Sequence, residues 1–113
     1  MLYDNLLVTV IEHPSYLRAA NKILTRNELD QVADYLAANP DSGDLIKGTG
    51  GCRKLRFSTE NNKGKSGGAR VIHVFLKADQ EVHLVDIYLK GTKSNLSKSE
   101  INQLAKLTAV LKG

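Results

Sequence analysis

A chain of 113 residues is long enough for one hydrophobic core and too short for two independent ones, so one domain spanning residues 1–113 is expected. Hydrophobic residues make up 42% and charged residues 25%, a globular balance, and no apolar run approaches the ~20 residues that a membrane span requires. The net charge of +4 is unevenly spread: residues 1–45 hold three Lys/Arg and seven Asp/Glu, whereas residues 46–113 hold thirteen and five.

The first strand is expected at Leu6–Ile11, a short run rich in β-branched residues that Glu12-His13-Pro14 closes. Asp4 and Glu12 flank it where a secretory leader would carry basic residues, so nothing directs export and a cytoplasmic location is expected. Pro14 suits the first turn of a helix over about Ser15–Lys22. A second helix starts at the N-cap Thr25, with Glu28 three residues on and Leu29, Val32, Ala33 and Leu36 at helical spacing, and Asn39-Pro40 ends it. The Asp-, Ser- and Gly-rich stretch Asp41–Gly51 reads as a loop anchored by Leu45 and Ile46.

The second strand covers about Cys52–Ser58, with Leu55 and Phe57 facing the core and Lys54 and Arg56 side by side on the opposite face. The glycine-rich hairpin loop Thr59–Gly68 leads to a third strand, Ala69–Leu76. After a turn at Lys77–Gln80 comes a fourth, Val82–Leu89. A last helix begins after the N-cap Ser97, which has Glu100 three residues on, and buries Ile101, Leu104, Leu107 and Leu111. The order β-α-α-β-β-β-α predicts an α+β fold. Its sheet is mainly antiparallel, with helices packed mostly on one face and the other left for binding.

Seven cations lie between Lys47 and Arg70 (Lys47, Arg53, Lys54, Arg56, Lys63, Lys65, Arg70) against the single anion Glu60. So one-sided a cluster fits neutralisation of phosphates, and a polyanionic partner is the leading inference. Lys63-Gly64-Lys65-Ser66-Gly67-Gly68 is not a phosphate-binding loop of the nucleotide-hydrolase kind. The glycine required at its start is Thr59, and the segment joins strand to strand. What remains is a loop whose two lysines can clamp a nucleic-acid backbone. His13, His73 and His83 are not spaced as metal ligands, and His73 lies on the opposite strand face from Arg70, which argues against a two-histidine nuclease. Cys52, the lone cysteine, reads as a small apolar residue. Tyr88 near the end of the fourth strand, with Lys90 and Lys93 beyond it, either packs in the core or offers a phenol to a base or a leaving group.

Three segments carry a resemblance: Gly48-Thr49-Gly50-Gly51-Cys52-Arg53-Lys54-Leu55-Arg56, Lys63–Ile72, and Ile87-Tyr88-Leu89-Lys90. Together with the element order they make the chain, from about Asn39 to Leu107, similar to the RelE/ParE superfamily of toxins from type II toxin–antitoxin systems. It looks closest to the HigB-like branch, with a G-T-G-G-x-R-K-x-R segment and a K-x-x-G-x-R-x-I strand. The resemblance implies a ribosome-dependent endoribonuclease, an mRNA interferase that inhibits translation by cutting messenger RNA in the decoding site. Its implied partners are the ribosome with its ribosomal RNA, the mRNA substrate and a cognate antitoxin of helix-turn-helix type. No metal, organic cofactor or membrane is implied.

In the implied reaction the ribose 2′-oxygen attacks the adjacent phosphorus. Lys54 and Arg56 match the paired cations of the family's second strand and Arg70 the arginine opening its third. Like charge around an ammonium disfavours its protonated form, which makes Lys54 a candidate general base. Arg56 and Arg70 would hold charge on the non-bridging oxygens, while Lys47, Arg53, Lys63, Lys65 and Lys93 would grip RNA. The chain departs from the family pattern at Gly91, where an arginine is expected, and at Ser97, where a tyrosine is expected. The leaving-group acid is therefore open among Tyr88, Lys90 and Lys93. A gyrase-poisoning toxin of the ParE kind and a non-catalytic RNA- or ribosome-binding module are the competing expectations. Arg70 is expected on an exposed strand face, where truncation would leave the fold intact.

Overall fold

The computed structural model describes residues 8–59, 68–93 and 95–113. Strand β1 (Thr9–Glu12) is followed by helices α1 (Pro14–Ile23) and α2 (Arg26–Ala38), then by strands β2 (Asp44–Leu45), β3 (Arg53–Phe57) and β4 (Ala69–Leu76). A 3-10 turn at Lys77–Asp79 leads to β5 (Glu81–Leu89), and α3 (Lys98–Lys112) completes the described chain.

Local sequence sets the helix starts. Pro14 occupies the first turn of α1, where its missing N–H costs nothing. Both α2 and α3 open on complete capping boxes, Thr25 with Glu28 and Ser97 with Glu100, each a reciprocal pair of side-chain to main-chain hydrogen bonds. A cap of this kind stabilises a helix by roughly 1 kcal/mol.

Among the described residues the strands form one sheet in the order β1-β5-β4-β3-β2. β1 runs parallel to β5 and the other neighbours are antiparallel, so the sheet is mixed at one edge. The segment expected to be a loop contains β2, whose Asp44 and Leu45 pair with Lys54 and Arg53. Leu45 is not the anchor that its hydrophobicity suggested: it is 61% exposed, and Ile46 alone packs inward. A β-bulge interrupts the β4–β5 ladder, because Ile72 pairs with Asp86 and His73 with Leu84, leaving Val85 as the inserted residue.

Two apolar clusters lie on opposite faces of the sheet. Tyr16 and Ala20 of α1 and Val32 and Leu36 of α2 pack with Ala69, Val71, Leu84 and Ile87, and Leu55 and Phe57 join this cluster as their alternation predicts. On the other face Cys52, Ile72, Val74, Leu76, Val85 and Tyr88 pack with Leu104, Leu107 and Leu111 of α3. Two helices therefore cover one face, and α3 takes part of the other. Cys52 is fully buried under α3, with its Sγ 3.3 Å from Thr108 Oγ1. The remainder of that face carries the cations.

Candidate functional site

Period-two alternation sorts the basic residues of β3 between the two faces. Arg56 pairs with Arg70 of β4, and Arg70 pairs in turn with Tyr88 of β5, so these three form a row across the sheet. Lys54 begins the next row, opposite Ile72 and Asp86. Beside these rows lies a cavity of about 400 Å³ lined by Gly43, Asp44, Lys54, Leu55, Arg56, Arg70, Lys90 and Asn95. Lys54, Arg56 and Arg70 thus line one open depression, and Lys90, an exposed residue just past β5, joins them.

The cavity wall rests on close backbone packing. Gly43 adopts φ of +93°, and a Cβ there would come within 2.6 Å of the Lys54 carbonyl oxygen, so only glycine lets the chain turn into β2 at this distance. That turn delivers Asp44 opposite Lys54. Gly68 makes a similar approach at the other end of β3: its φ is +69°, and a Cβ would lie 2.4 Å from the Phe57 carbonyl oxygen. The Gly68 carbonyl accepts the main-chain N–H of Lys90 at 3.0 Å, which fixes the start of the segment that carries the fourth cation.

Arg70 departs from its expected exposure: it is only 7% accessible and donates to the Ala69 carbonyl at 3.3 Å. Its neighbours β3 and β5 close over the stem of the side chain, because β4 is an interior strand. Arg53 is not brought to the cavity. It neighbours Lys54 in sequence and pairs with His73 on the opposite face, where its guanidinium donates to the Gly43 carbonyl at 3.0 Å. Lys47 is exposed in the turn before β3 and does not line the cavity. Lys63 and Lys65 lie outside the described residues.

Of the three candidates for a proton donor, Lys93 is engaged in an ion pair and Tyr88 is buried. Lys93 forms an ion pair with Glu100 at the start of α3 and lies 5.0 Å from the centroid of the Tyr88 ring. That hydrogen bond, followed by one from the Ser97 main chain, holds the Glu100 carboxyl below its ordinary range. Tyr88 is 6% accessible, its hydroxyl is buried without a hydrogen-bond partner among the described residues, and burial raises its pKa. Asp86, half-buried nearby, is likewise raised by desolvation, although it accepts the Ile87 N–H at 2.8 Å. Lys90 alone of the three lines the open cavity.

The histidines take other places. His73 is fully buried on the face away from Arg70, as parity predicts, and burial lowers its pKa to about 4. A main-chain group of Ser42 favours its charged form without outweighing burial. His13 Nε2 lies 2.8 Å from His83 Nδ1, and His83 Nε2 is 3.0 Å from Glu81 Oε1, a chain at the far side of the sheet. Among the described residues no group of three or more His, Cys, Asp or Glu side chains is placed to hold a metal ion, and no helix is long and apolar enough to cross a membrane.

Sequence reasoning missed Asp44 and Asn95 as cavity residues. Both sit in polar connecting segments, where a single carboxylate or amide carries no periodic signal. Only the non-local pairing of β2 with β3 reveals the placing of Asp44.

No family model matches the chain. Among solved structures it is similar to the E. coli toxin RelE, seen as a double arginine-to-alanine mutant in the free state. The TM-score is 0.60 and the identity 14%, over 91% of this chain and 98% of that one. The fold is therefore RelE-like, with the three helices and five-stranded mixed sheet described above.

Proposed function

We propose that this chain is the toxin of a toxin–antitoxin pair and acts as a ribosome-dependent endoribonuclease on messenger RNA. The observation that carries the reading is the gathering of Lys54, Arg56, Arg70 and Lys90 around one open cavity that also holds Asp44. Four cations around one depression suit a phosphodiester, whose two non-bridging oxygens gain charge as the pentacoordinate state forms. The E. coli protein of similar fold is a toxin, which supports the biological setting. The G-T-G-G-x-R-K-x-R segment favours the HigB-like branch, and work on translating ribosomes implies the cytoplasm. A cognate antitoxin of helix-turn-helix type would hold the toxin in check.

The cavity suggests a division of labour. The 2′-hydroxyl loses its proton to Asp44, the O2′–P bond forms and the P–O5′ bond breaks, leaving a 2′,3′-cyclic phosphate. The departing 5′-oxygen takes a proton from the Lys90 ammonium. Asp44 suits the first role better than Lys54, because an ammonium must lose its own proton before accepting another, whereas a carboxylate is ready. Lys54 then serves with Arg56 and Arg70 in binding the charge that develops, and such help lowers the barrier because it strengthens along the reaction.

Purified protein added to ribosomes translating a defined message tests the reading. New 5′-hydroxyl ends on translated messages alone are expected. Intact messages together with trapped gyrase–DNA cleavage complexes would replace it with the gyrase-poisoning alternative, and stalled ribosomes on uncut message with a merely occupying module.

A further inference from the structure

Around the edge of β3 from the cationic cavity lies a second groove, of about 430 Å³, lined by Gln31, Tyr35, Leu55, Arg56, Phe57 and Ser58. It shares Leu55 and Arg56 with the cationic cavity. Both lie along the edge of β3: β2 pairs only with Arg53 and Lys54, so among the described residues no strand covers that edge from Leu55 to Phe57.

Tyr35 stands out within this groove. It is 47% exposed, one of three large hydrophobic side chains so exposed among the described residues, and it lies on the flank of the buried face of α2 that Glu28, Val32 and Leu36 form. Gln31 precedes it by one helical turn on the same face. Gln31 is exposed and lines the same groove, and its amide carries both a donor and an acceptor. An exposed aromatic ring beside an exposed amide, next to an arginine that also borders the cationic cavity, suits one ligand chemistry. An unpaired nucleobase offers a flat face to stack and an edge to hydrogen-bond, and carries its phosphate on the same backbone.

We propose that this groove is a nucleobase subsite, in which the Tyr35 ring stacks on the base adjoining the scissile phosphate and Gln31 reads its edge. Arg56 bridges the two sites, with its guanidinium on the phosphate and its stem along the stacked base. The inference rests on the RNA-cleavage reading and adds a source of sequence preference to it.

The test uses the full chain on ribosomes programmed with two messages, one normal and one with an abasic nucleotide beside the cut. Tyr35→Ala is expected to lower kcat/KM on the normal message by roughly 5- to 150-fold, the range given by base–aromatic stacking. The abasic message should cost the wild type a similar factor and cost Tyr35→Ala nothing further. Tyr35→Phe, which keeps the ring, should stay near wild type. Cleavage by Tyr35→Ala at the wild-type rate would sink the subsite alone and leave Tyr35 to a protein partner. An abasic penalty undiminished in Tyr35→Ala would do the same. Failure of the wild type to cut either message would remove the nuclease reading and the subsite together.

Discussion

Arg56 and Arg70 occupy directly opposed positions on neighbouring antiparallel strands, a pairing of like charges on one face of the sheet. Opposed like charges work against a sheet, and a cation pair held in this register suits a shared anionic ligand. Arg56→Ala is therefore expected to leave the melting temperature unchanged or slightly raised while cleavage on programmed ribosomes falls by about 10²- to 10³-fold, the usual cost of one charge-stabilising donor. Arg70→Ala should slow cleavage similarly and also destabilise the fold by about 1–3 kcal/mol, because it truncates a buried side chain. Thermal melts beside single-turnover rates separate the two variants.

Asp44→Asn keeps the size of the side chain and removes the proton acceptor. Single-turnover cleavage is expected to drop by about 10²- to 10⁴-fold. Affinity for ribosomes carrying message should hold or rise, because a negative charge leaves a cationic cavity. A variant that cuts as fast as wild type would return the acceptor role to Lys54.

Gly43→Ala tests the corner that delivers Asp44. With φ at +93° and the Lys54 carbonyl oxygen 2.6 Å from the new Cβ, the turn must open. A loss of about 1–3 kcal/mol is expected in urea unfolding. Cleavage should fall with it even at temperatures where the variant is fully folded. Gly48→Ala provides the contrast, since its new Cβ meets the Ile101 side chain beneath α3 and not the cavity wall.

Acid sensitivity should trace to His73. Its pKa is about 4 in the folded protein and returns to the ordinary 6.5 on unfolding, so the unfolded chain binds the extra proton. The contribution from a neutral ring is complete above pH 6.5 and is lost as pH falls toward 4. Between pH 7.5 and pH 5 the loss amounts to about 2 kcal/mol. Urea titrations of wild type and His73→Leu at the two pH values should show that difference shrinking in the variant. An equal acid loss in both would assign it to other groups, of which His13, lowered by burial and by His83, is the first to examine.

What was legible in the sequence follows from how local each signal is. The capping boxes at Thr25 and Ser97 and the alternation of Leu55 and Phe57 with Lys54 and Arg56 are written within a few residues of one another, and the structure agrees with them. The parity of His73 against Arg70 is of the same kind. Asp44 lacked such a signal, because a two-residue strand is made by its partner and not by its own propensity. Nor does alternation report how deep a strand lies. Arg70 was read from its face, whereas its burial comes from the strands on either side. Arg53 shows the opposite case: the period that placed Lys54 and Arg56 in the cavity already assigned Arg53 to the other face, and the density of basic residues obscured it.

The lone thiol, sealed between the sheet and the last helix, gives the molecule a built-in clock. A sulfhydryl reagent can reach Cys52 only after Thr108 has lifted away with its helix. The labelling rate therefore measures how often α3 undocks from the face of the sheet that it shares with the cations.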